Sequence, residues 1–165
     1  MNKLIPVIVL LGLIATGCAT GYHKVGFTGG YSETKIQDDI FKVGFKGNAK
    51  CSLERAEDFT LLRSAEVAIE NGYKYFVIID EKSGTQTGAY TTPTTATTSG
   101  NVNMYGNTGS YSSTTNVYGG QTYIFHKPSV RNTIKCFKEK PDNIPTIVYD
   151  AEQIIRNIKA RYGIE

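Results

Sequence analysis

The chain has 165 residues, with 18 Lys and Arg against 15 Asp and Glu, and a formal net charge of +3. This length suits about one domain, and so small a charge, spread along the chain, excludes the basic footprint of a nucleic-acid-binding protein. With 20% charged and 40% hydrophobic residues, the composition is that of an ordinary globular domain and not of a disordered chain.

The N-terminus has the three parts of an export signal. Lys3 carries one positive charge, and the apolar run from Leu4 to Ala15 is shorter than the roughly 20 residues of a membrane-spanning helix. The run Ala15-Thr16-Gly17-Cys18 resembles a bacterial lipobox, in which small residues precede a cysteine that receives a diacylglycerol. We therefore expect residues 1–17 to be a lipoprotein signal peptide and Cys18 to be the lipidated residue. Cleavage as an ordinary secretory signal is the alternative.

A lipidated N-terminus would anchor the chain without a spanning helix. Two or three acyl chains give stable anchoring, and Ala19 after the cysteine resembles the sorting signal of enteric lipoproteins that go to the outer membrane. Residues 18–30 are small, rich in glycine and weakly patterned, so they are predicted to be the lipidated N-terminus and a tether. A single domain is predicted over residues 31–165.

The domain is predicted to start with a half-buried strand followed by a long helix. The strand has apolar residues at alternate positions, namely Phe41, Val43 and Phe45. Ser52 is the predicted N-cap of the helix, and Asn71-Gly72 is its stop signal. The predicted buried face of the helix consists of Leu61, Leu62, Ala65, Ala68 and Ile69.

A buried strand and a low-complexity insertion follow. The apolar run from Tyr75 to Ile79 is typical of a central strand. Residues 83–122 contain Thr, Ser, Gly, Asn and Tyr but almost no aliphatic side chain, so this insertion is predicted to be disordered or to form an extended hairpin arm. Its tyrosines could stack on sugars or belong to a solvated loop. These tyrosines are Tyr90, Tyr105, Tyr111, Tyr118 and Tyr123.

The C-terminal part is predicted to add two strands and a second helix. The runs "TYIFHK" and "VRNTIKCFKEK" are separated by Pro128, which predicts two strands joined by a short turn. The final helix is predicted from Asp150, its N-cap, to Tyr162, with Gly163 as its end. The predicted fold class is α+β, a two-layer arrangement of about four strands with two helices on one face and the polar insertion.

Several phrases together resemble a family of short bacterial lipoproteins of unknown function, first named from Caulobacter. These phrases are "GYSETKI", "FKVGFKGN", "EDFTLLRSAEVAIENGYKYFVI" and "NTIKCF", and the resemblance covers nearly all of residues 30–165. What the resemblance implies is limited to an anchored envelope protein, because the family carries no activity or site residue that could be transferred.

Few residues point to chemistry. Cys51 and Cys136 could pair as a disulfide in an oxidising periplasm or remain two separate, partly buried thiols. His23 and His126 lack the partners of a metal site, so we expect no metal or cofactor.

Three charged residues of the first helix leave two interpretations open. Asp58, Arg63 and Glu66 could line a polar pocket at the edge between helix and sheet. The alternative is a helix-end carboxylate beside a surface ion pair between Arg63 and Glu66, which are three residues apart.

The sequence therefore favours a non-enzymatic protein. We expect a membrane-anchored periplasmic lipoprotein that acts as a structural or interaction module of the cell envelope, with envelope proteins as partners. The alternative is a glycan- or peptidoglycan-binding lipoprotein that uses the tyrosines of the insertion. No catalytic constellation such as a nucleophile beside a base is readable, and no nucleic-acid partner is expected.

Overall fold

The computed structural model describes residues 19–165 and has an α+β fold with two helices and a mostly antiparallel sheet. The elements in chain order are β1 (Gly30–Lys35), β2 (Ile40–Lys46), α1 (Leu53–Glu70), β3 (Tyr75–Thr91), β4 (Thr95–Tyr105), β5 (Thr108–Tyr118), β6 (Thr122–Phe137), β7 (Tyr149–Asp150) and α2 (Ala151–Tyr162). The chain divides into two compact units. One consists of the residues up to Gln86 together with His126–Glu165, and the other is Thr87–Phe125.

The first unit is built on a five-stranded sheet in the order β1-β2-β6-β3-β7. Strand β2 pairs antiparallel with β1 on one side and with β6 on the other, and Phe45 lies opposite Val130 of β6. Strand β7 pairs antiparallel with β3 over two residues only. The predicted alternation in β2 is confirmed, because Phe41, Val43 and Phe45 are all buried.

Helix α1 packs along the sheet, and its two ends contact different parts of the core. Toward its C-terminal end, Ala65 and Ala68 share a buried cluster with Ile134 and Cys136 of β6. Toward its N-terminal end, Phe59 packs in a second cluster. The other buried members of that second cluster are Phe45, Cys51, Ala56 and Val130. The small residues of α1 let its backbone approach the sheet closely.

The predicted helix ends are confirmed. The Ser52 side chain accepts a hydrogen bond from the Arg55 N–H at 3.2 Å, and Asp150 caps α2 in the same way, from the Gln153 N–H at 3.0 Å. Gly72 follows α1 with a φ of 81°, and Gly163 ends α2 with a φ of 62°. Both values lie in the left-handed region that favours glycine after a helix.

The predicted buried face of α1 is correct in part. Leu62, Ala65 and Ala68 are fully buried, whereas Ile69 is 37% exposed. The pattern missed Thr60 and Ser64, which are fully buried because each hydroxyl donates to a carbonyl one turn earlier in the same helix.

The main sheet has five strands, against the prediction of about four. Strand β1 was missed because its side chains do not alternate in polarity. The two strands expected around Pro128 are one continuous strand, β6. The proline is tolerated because it lies opposite Gly47, one residue beyond the end of β2, so the missing N–H falls at the end of the β2–β6 ladder and not inside it.

The predicted tether is instead folded onto the first unit. Thr20 is only 2% exposed, and Tyr22 packs against Tyr31 and Phe59 with ring centroids 4.9 and 5.4 Å apart. These contacts join residues far apart in the chain, so a local reading of small and glycine residues could not show them.

Candidate interaction surface

The insertion forms regular strands, as in the hairpin alternative, and not a disordered loop. Strands β4 and β5 make a two-stranded antiparallel sheet with Tyr105 opposite Thr108. The turn between them is Gly106-Asn107, and the φ of 62° at Gly106 matches a type II′ turn, whose first residue needs a positive φ. All residues of both strands are exposed, and from Ser83 to Phe125 the sequence has no charged side chain.

The β4–β5 hairpin has two chemically different faces. The register places Val102 opposite Tyr111 and Ala96 opposite Val117, and Met104 lies on the same face because side chains alternate along a strand. Between the two pairs this face also carries Ser113 and the hydrogen-bonded hydroxyls of Thr98 and Thr115, 2.8 Å apart. Its apolar side chains are Ala96, Val102, Met104, Tyr111 and Val117. We call these five residues the apolar hairpin face. The opposite face has hydroxyl and amide side chains, including Asn101 and Asn116, and two tyrosines.

Two glycines on the apolar hairpin face make room for the side chains of neighbouring residues. A Cβ atom added at Gly100 would lie 2.6 Å from the Tyr111 hydroxyl oxygen, and one added at Gly109 would lie 2.6 Å from the Met104 sulfur. The Tyr111 ring and the Met104 side chain therefore extend across the glycines. This arrangement gives an adaptable apolar surface on a scaffold without charges.

The tyrosines singled out in the sequence do not converge on one site. Tyr111 is on the apolar hairpin face, whereas Tyr105 and Tyr118 are on the other face at opposite ends of the hairpin. Thr95, which pairs with Tyr118, is ten residues from Tyr105 along β4, or about 33 Å at the usual rise of a strand. Tyr90 belongs to β3. The sequence pattern missed Val102, Met104 and Val117, although the alternation in "NVNMY" was a signal for them.

Arg63 and Glu66 belong to a buried network and not to an open pocket or a simple surface pair. Arg63 is 8% exposed and contacts three carboxylates, with a bidentate contact to Glu70 at 2.8 and 2.9 Å and single contacts to Glu66 at 3.1 Å and Glu33 at 3.3 Å. Its guanidinium carbon lies 4.7 Å from the ring centroid of Tyr31. We call Arg63 and the three glutamates the Arg63 cluster.

The Arg63 cluster also holds the N-terminal segment. The Tyr22 hydroxyl donates to Glu66, and Lys159 of α2 lies 3.6 Å from the same carboxylate. Burial and the bond to Glu66 raise the pKa of Tyr22 far above its ordinary value. Burial opposes the charge of Arg63, but the bonds to the glutamates outweigh it and raise the Arg63 pKa. The cluster thus joins three elements and residue 22, which is a structural role.

Asp58 belongs to a separate contact between the two helices. Its carboxylate accepts from Tyr162 Oη at 2.7 Å and from Arg161 at 2.8 Å, and Arg161 also contacts Glu54. The Tyr162 ring packs against Phe59 with centroids 4.9 Å apart. Burial, followed by the bond to Asp58, raises the pKa of Tyr162 to about 12. The structure therefore does not bring Asp58 together with Arg63 and Glu66.

The two domain cysteines are not bonded, which contradicts the disulfide alternative and agrees with two separate thiols, both of them buried. A Cβ atom added at Gly47 would lie 2.6 Å from Cys51 Cβ and 2.9 Å from Pro128, so Cys51 is next to Pro128. Cys136 is eight residues further along β6, about 26 Å away at the rise of a strand, whereas a disulfide needs Cα atoms within about 7 Å. The N-terminal end of α1 lies over Val130 and not over Cys136.

Neither thiol is activated. Burial raises the pKa of the Cys51 thiol above its ordinary value, and burial together with the Asp39 carboxylate raises the pKa of Cys136 to about 12. A nucleophilic cysteine needs the opposite shift. His23 contacts the carbonyl of Lys24 at 2.8 Å, and His126 is an exposed residue of β6.

Within residues 19–165, no group of three or more His, Cys, Asp and Glu side chains is arranged to hold a metal ion. In the same part of the chain, no helix has the length and apolar character needed to cross a membrane. Cys18 lies outside the described residues. Comparisons with known protein families, curated proteins and solved structures find no significant match to this chain.

Proposed function

We propose that this protein is a lipoprotein of the bacterial cell envelope and acts as a non-enzymatic interaction module through the apolar hairpin face. The export signal and the lipobox-like sequence before Cys18 support the anchor, and Ala19 favours the outer membrane with the domain in the periplasm. In this proposal the chain belongs with the short lipoproteins that it resembles, and it needs no cofactor, metal or nucleic acid.

The apolar hairpin face carries the proposal. Val102, Met104, Tyr111 and Val117 are each more than 60% exposed, on strands that contribute no buried residue to the core of either unit. Residues that stabilise no core and still present an apolar surface are typical of an interaction site. Both edges of the two-stranded sheet are also unpaired among the described residues, so a partner could bind by strand addition or by contact with the face.

The first unit serves in this proposal as the rigid support. We infer a two-layer arrangement with both helices on one face of the sheet. Its support is that Ile154 and Ile155 of α2 pack against the same cluster as Ala65 and Ala68 of α1. The buried, high-pKa thiols support the non-enzymatic assignment, because the thiolate is the nucleophilic form.

Site-specific crosslinking in cells tests the interaction surface. A photoreactive residue placed at Val102 or Val117 should capture an envelope protein, and one placed at Asn101 or Asn116 on the opposite face provides the matched control. Replacing Val102 and Val117 by lysine should abolish the capture. Equal capture from the two faces, or capture unaffected by the lysines, would show that the apolar face is not the interaction site.

Glycan binding is the second candidate, and the exposure of the hairpin tyrosines favours it. Tyr105 is 83% exposed and could stack on a sugar ring. Purified peptidoglycan should then retain the protein, and deletion of residues 84–122 should abolish this retention. Equal retention with and without the deletion removes the tyrosine-based proposal while leaving the crosslinking result unaffected.

A further inference from the structure

The first residues that the structure describes lie next to one particular turn of the first unit. Thr20 Oγ1 donates to the Thr28 carbonyl at 2.8 Å and accepts from Asn48 N–H at 2.8 Å. Consecutive Cα atoms are 3.8 Å apart, so the Cα of Cys18 is within about 8 Å of the Cα of Thr20. If Cys18 is acylated, as proposed above, the bilayer surface must lie close to Thr28.

The turn that contains Thr28 presents an aromatic ring to solvent. Residues 25–29 form a tight loop closed by bonds between Gly26 and Gly29, at 2.8 and 3.2 Å, and by Val25 N–H to Tyr31 C=O at 2.7 Å. Phe27, at the tip, is 108% exposed, and Val25 is 45% exposed. We call residues 25–29 the Phe27 turn. A fully exposed phenylalanine on a closed turn contributes nothing to the core, so its apolar surface is available for contact with something outside the protein.

The surroundings of the Phe27 turn are basic. A cleft of about 370 Å³ lies behind the turn, and its lining includes Lys46 and Lys127 but no acidic residue. Lys24, at the start of the turn, and Lys46 are exposed and form no ion pair within residues 19–165. Positive charge next to an exposed aromatic ring is the chemistry that an anionic leaflet attracts.

We propose that the Phe27 turn is a second membrane contact, in which Phe27 enters the boundary between headgroups and acyl chains of an anionic leaflet. Lys24 and Lys46 then contact lipid phosphates, with their alkyl stems along the apolar region. This inference rests on the proposed lipid anchor, because the anchor holds the turn at a high effective concentration at the surface. A lipid chain alone leaves the domain free to rotate about its attachment, whereas a second contact fixes its orientation.

The sequence has no tryptophan, so Phe27→Trp introduces a single tryptophan whose emission can be followed. The acylated full-length protein is reconstituted in vesicles of phosphatidylcholine, with or without phosphatidylglycerol. We expect a blue-shifted emission and quenching by brominated acyl chains in the anionic vesicles, both weaker at high salt. Lys24→Gln and Lys46→Gln should each lower the ratio of inserted to free turn about fivefold.

Ile147→Trp is the matched control. Ile147 is also an exposed aliphatic residue, and it lies two residues before Tyr149, which pairs with Phe76. Lys74, two residues before Phe76, donates to the carbonyl of Phe137, the last residue of β6, at 3.0 Å. Ser129, the partner of Lys46, is eight residues earlier in β6, or about 26 Å away at the rise of a strand. This probe should therefore show neither the blue shift nor the quenching.

The outcomes separate this inference from the proposed anchor. Acylation of Cys18 seen by mass spectrometry, together with identical spectra for the probes at residues 27 and 147, would overturn the membrane contact and leave the anchor intact. An unmodified Cys18 would overturn the anchor. In that case the Phe27→Trp protein is mixed with the same vesicles, where a blue shift supports the contact and an unchanged spectrum overturns it.

Discussion

Removing the positive charge of the Arg63 cluster should destabilise the first unit strongly. In Arg63→Met the alkyl stem can still pack on Tyr31, but Glu33, Glu66 and Glu70 lose the cation that they share. Removal of one partner from a buried ion pair costs about 3–5 kcal/mol. Glu70 is 54% exposed and can be hydrated, whereas Glu66 is 17% exposed. We therefore expect a loss of about 3 kcal/mol in the free energy of unfolding, at the lower end of that range.

Urea denaturation followed by far-UV circular dichroism measures this loss. The control is Lys35→Met, which removes the exposed pair between Lys35 and Asp38 and should cost less than about 1 kcal/mol. In a double-mutant cycle with Glu70→Gln, the double variant should lose less stability than the sum of the two single losses, since Arg63 and Glu70 make two bonds. If Arg63→Met costs no more than Lys35→Met, the cluster does not hold the N-terminal segment and the helices together.

Three further predictions follow from the same contacts. The pKa of Tyr162 is raised to about 12 in the folded protein from an ordinary value of 10. The stability that Tyr162 contributes is therefore complete below pH 10 and is lost as the pH rises toward 12. Tyr162→Phe should make this fall in unfolding free energy shallower. Titration with a thiol reagent should find both Cys51 and Cys136 free after unfolding without reductant, and both should react slowly in the native protein; a titre of no thiols would contradict the structure. Gly29→Ala should cost about 2 kcal/mol or more, because φ is 102° and the new Cβ would lie 2.2 Å from a β2 carbonyl oxygen, whereas Gly26→Ala, with no atom within 4 Å, should change thermal stability little.

The helices could be predicted because their signals are local. Ser52 and Asp150 cap their helices through bonds that span three residues, and Gly163 ends α2 with the backbone conformation that its residue type favours. A window of a few residues contains all of this information. The same is true of β2, since one buried face forces alternation within the strand itself.

The rest of the fold depends on contacts that no short window contains. Thr20 is buried by bonds to Thr28 and Asn48, and nothing in a glycine-rich run shows that its residues have such partners. The sequence shows Arg63 only its neighbour Glu66, because its second partner on α1, Glu70, is two turns away and its third, Glu33, is on β1. Both the polar pocket and the surface pair therefore fall short of the buried network. These long-range partners also explain why a predicted tether is a folded part of the domain.

The hairpin shows how composition can mislead about order while remaining informative about function. Thr, Tyr and Val have high β propensity, so the insertion can form strands although it buries no core. Natural sheets usually protect exposed edges with charged residues, and from Ser83 to Phe125 this chain has none. Order without a core, together with edges that lack charge protection, is unfavourable for an isolated chain. It becomes intelligible if the apolar hairpin face is covered by a partner, which is why the hairpin, more than any cavity of the first unit, carries the proposed function.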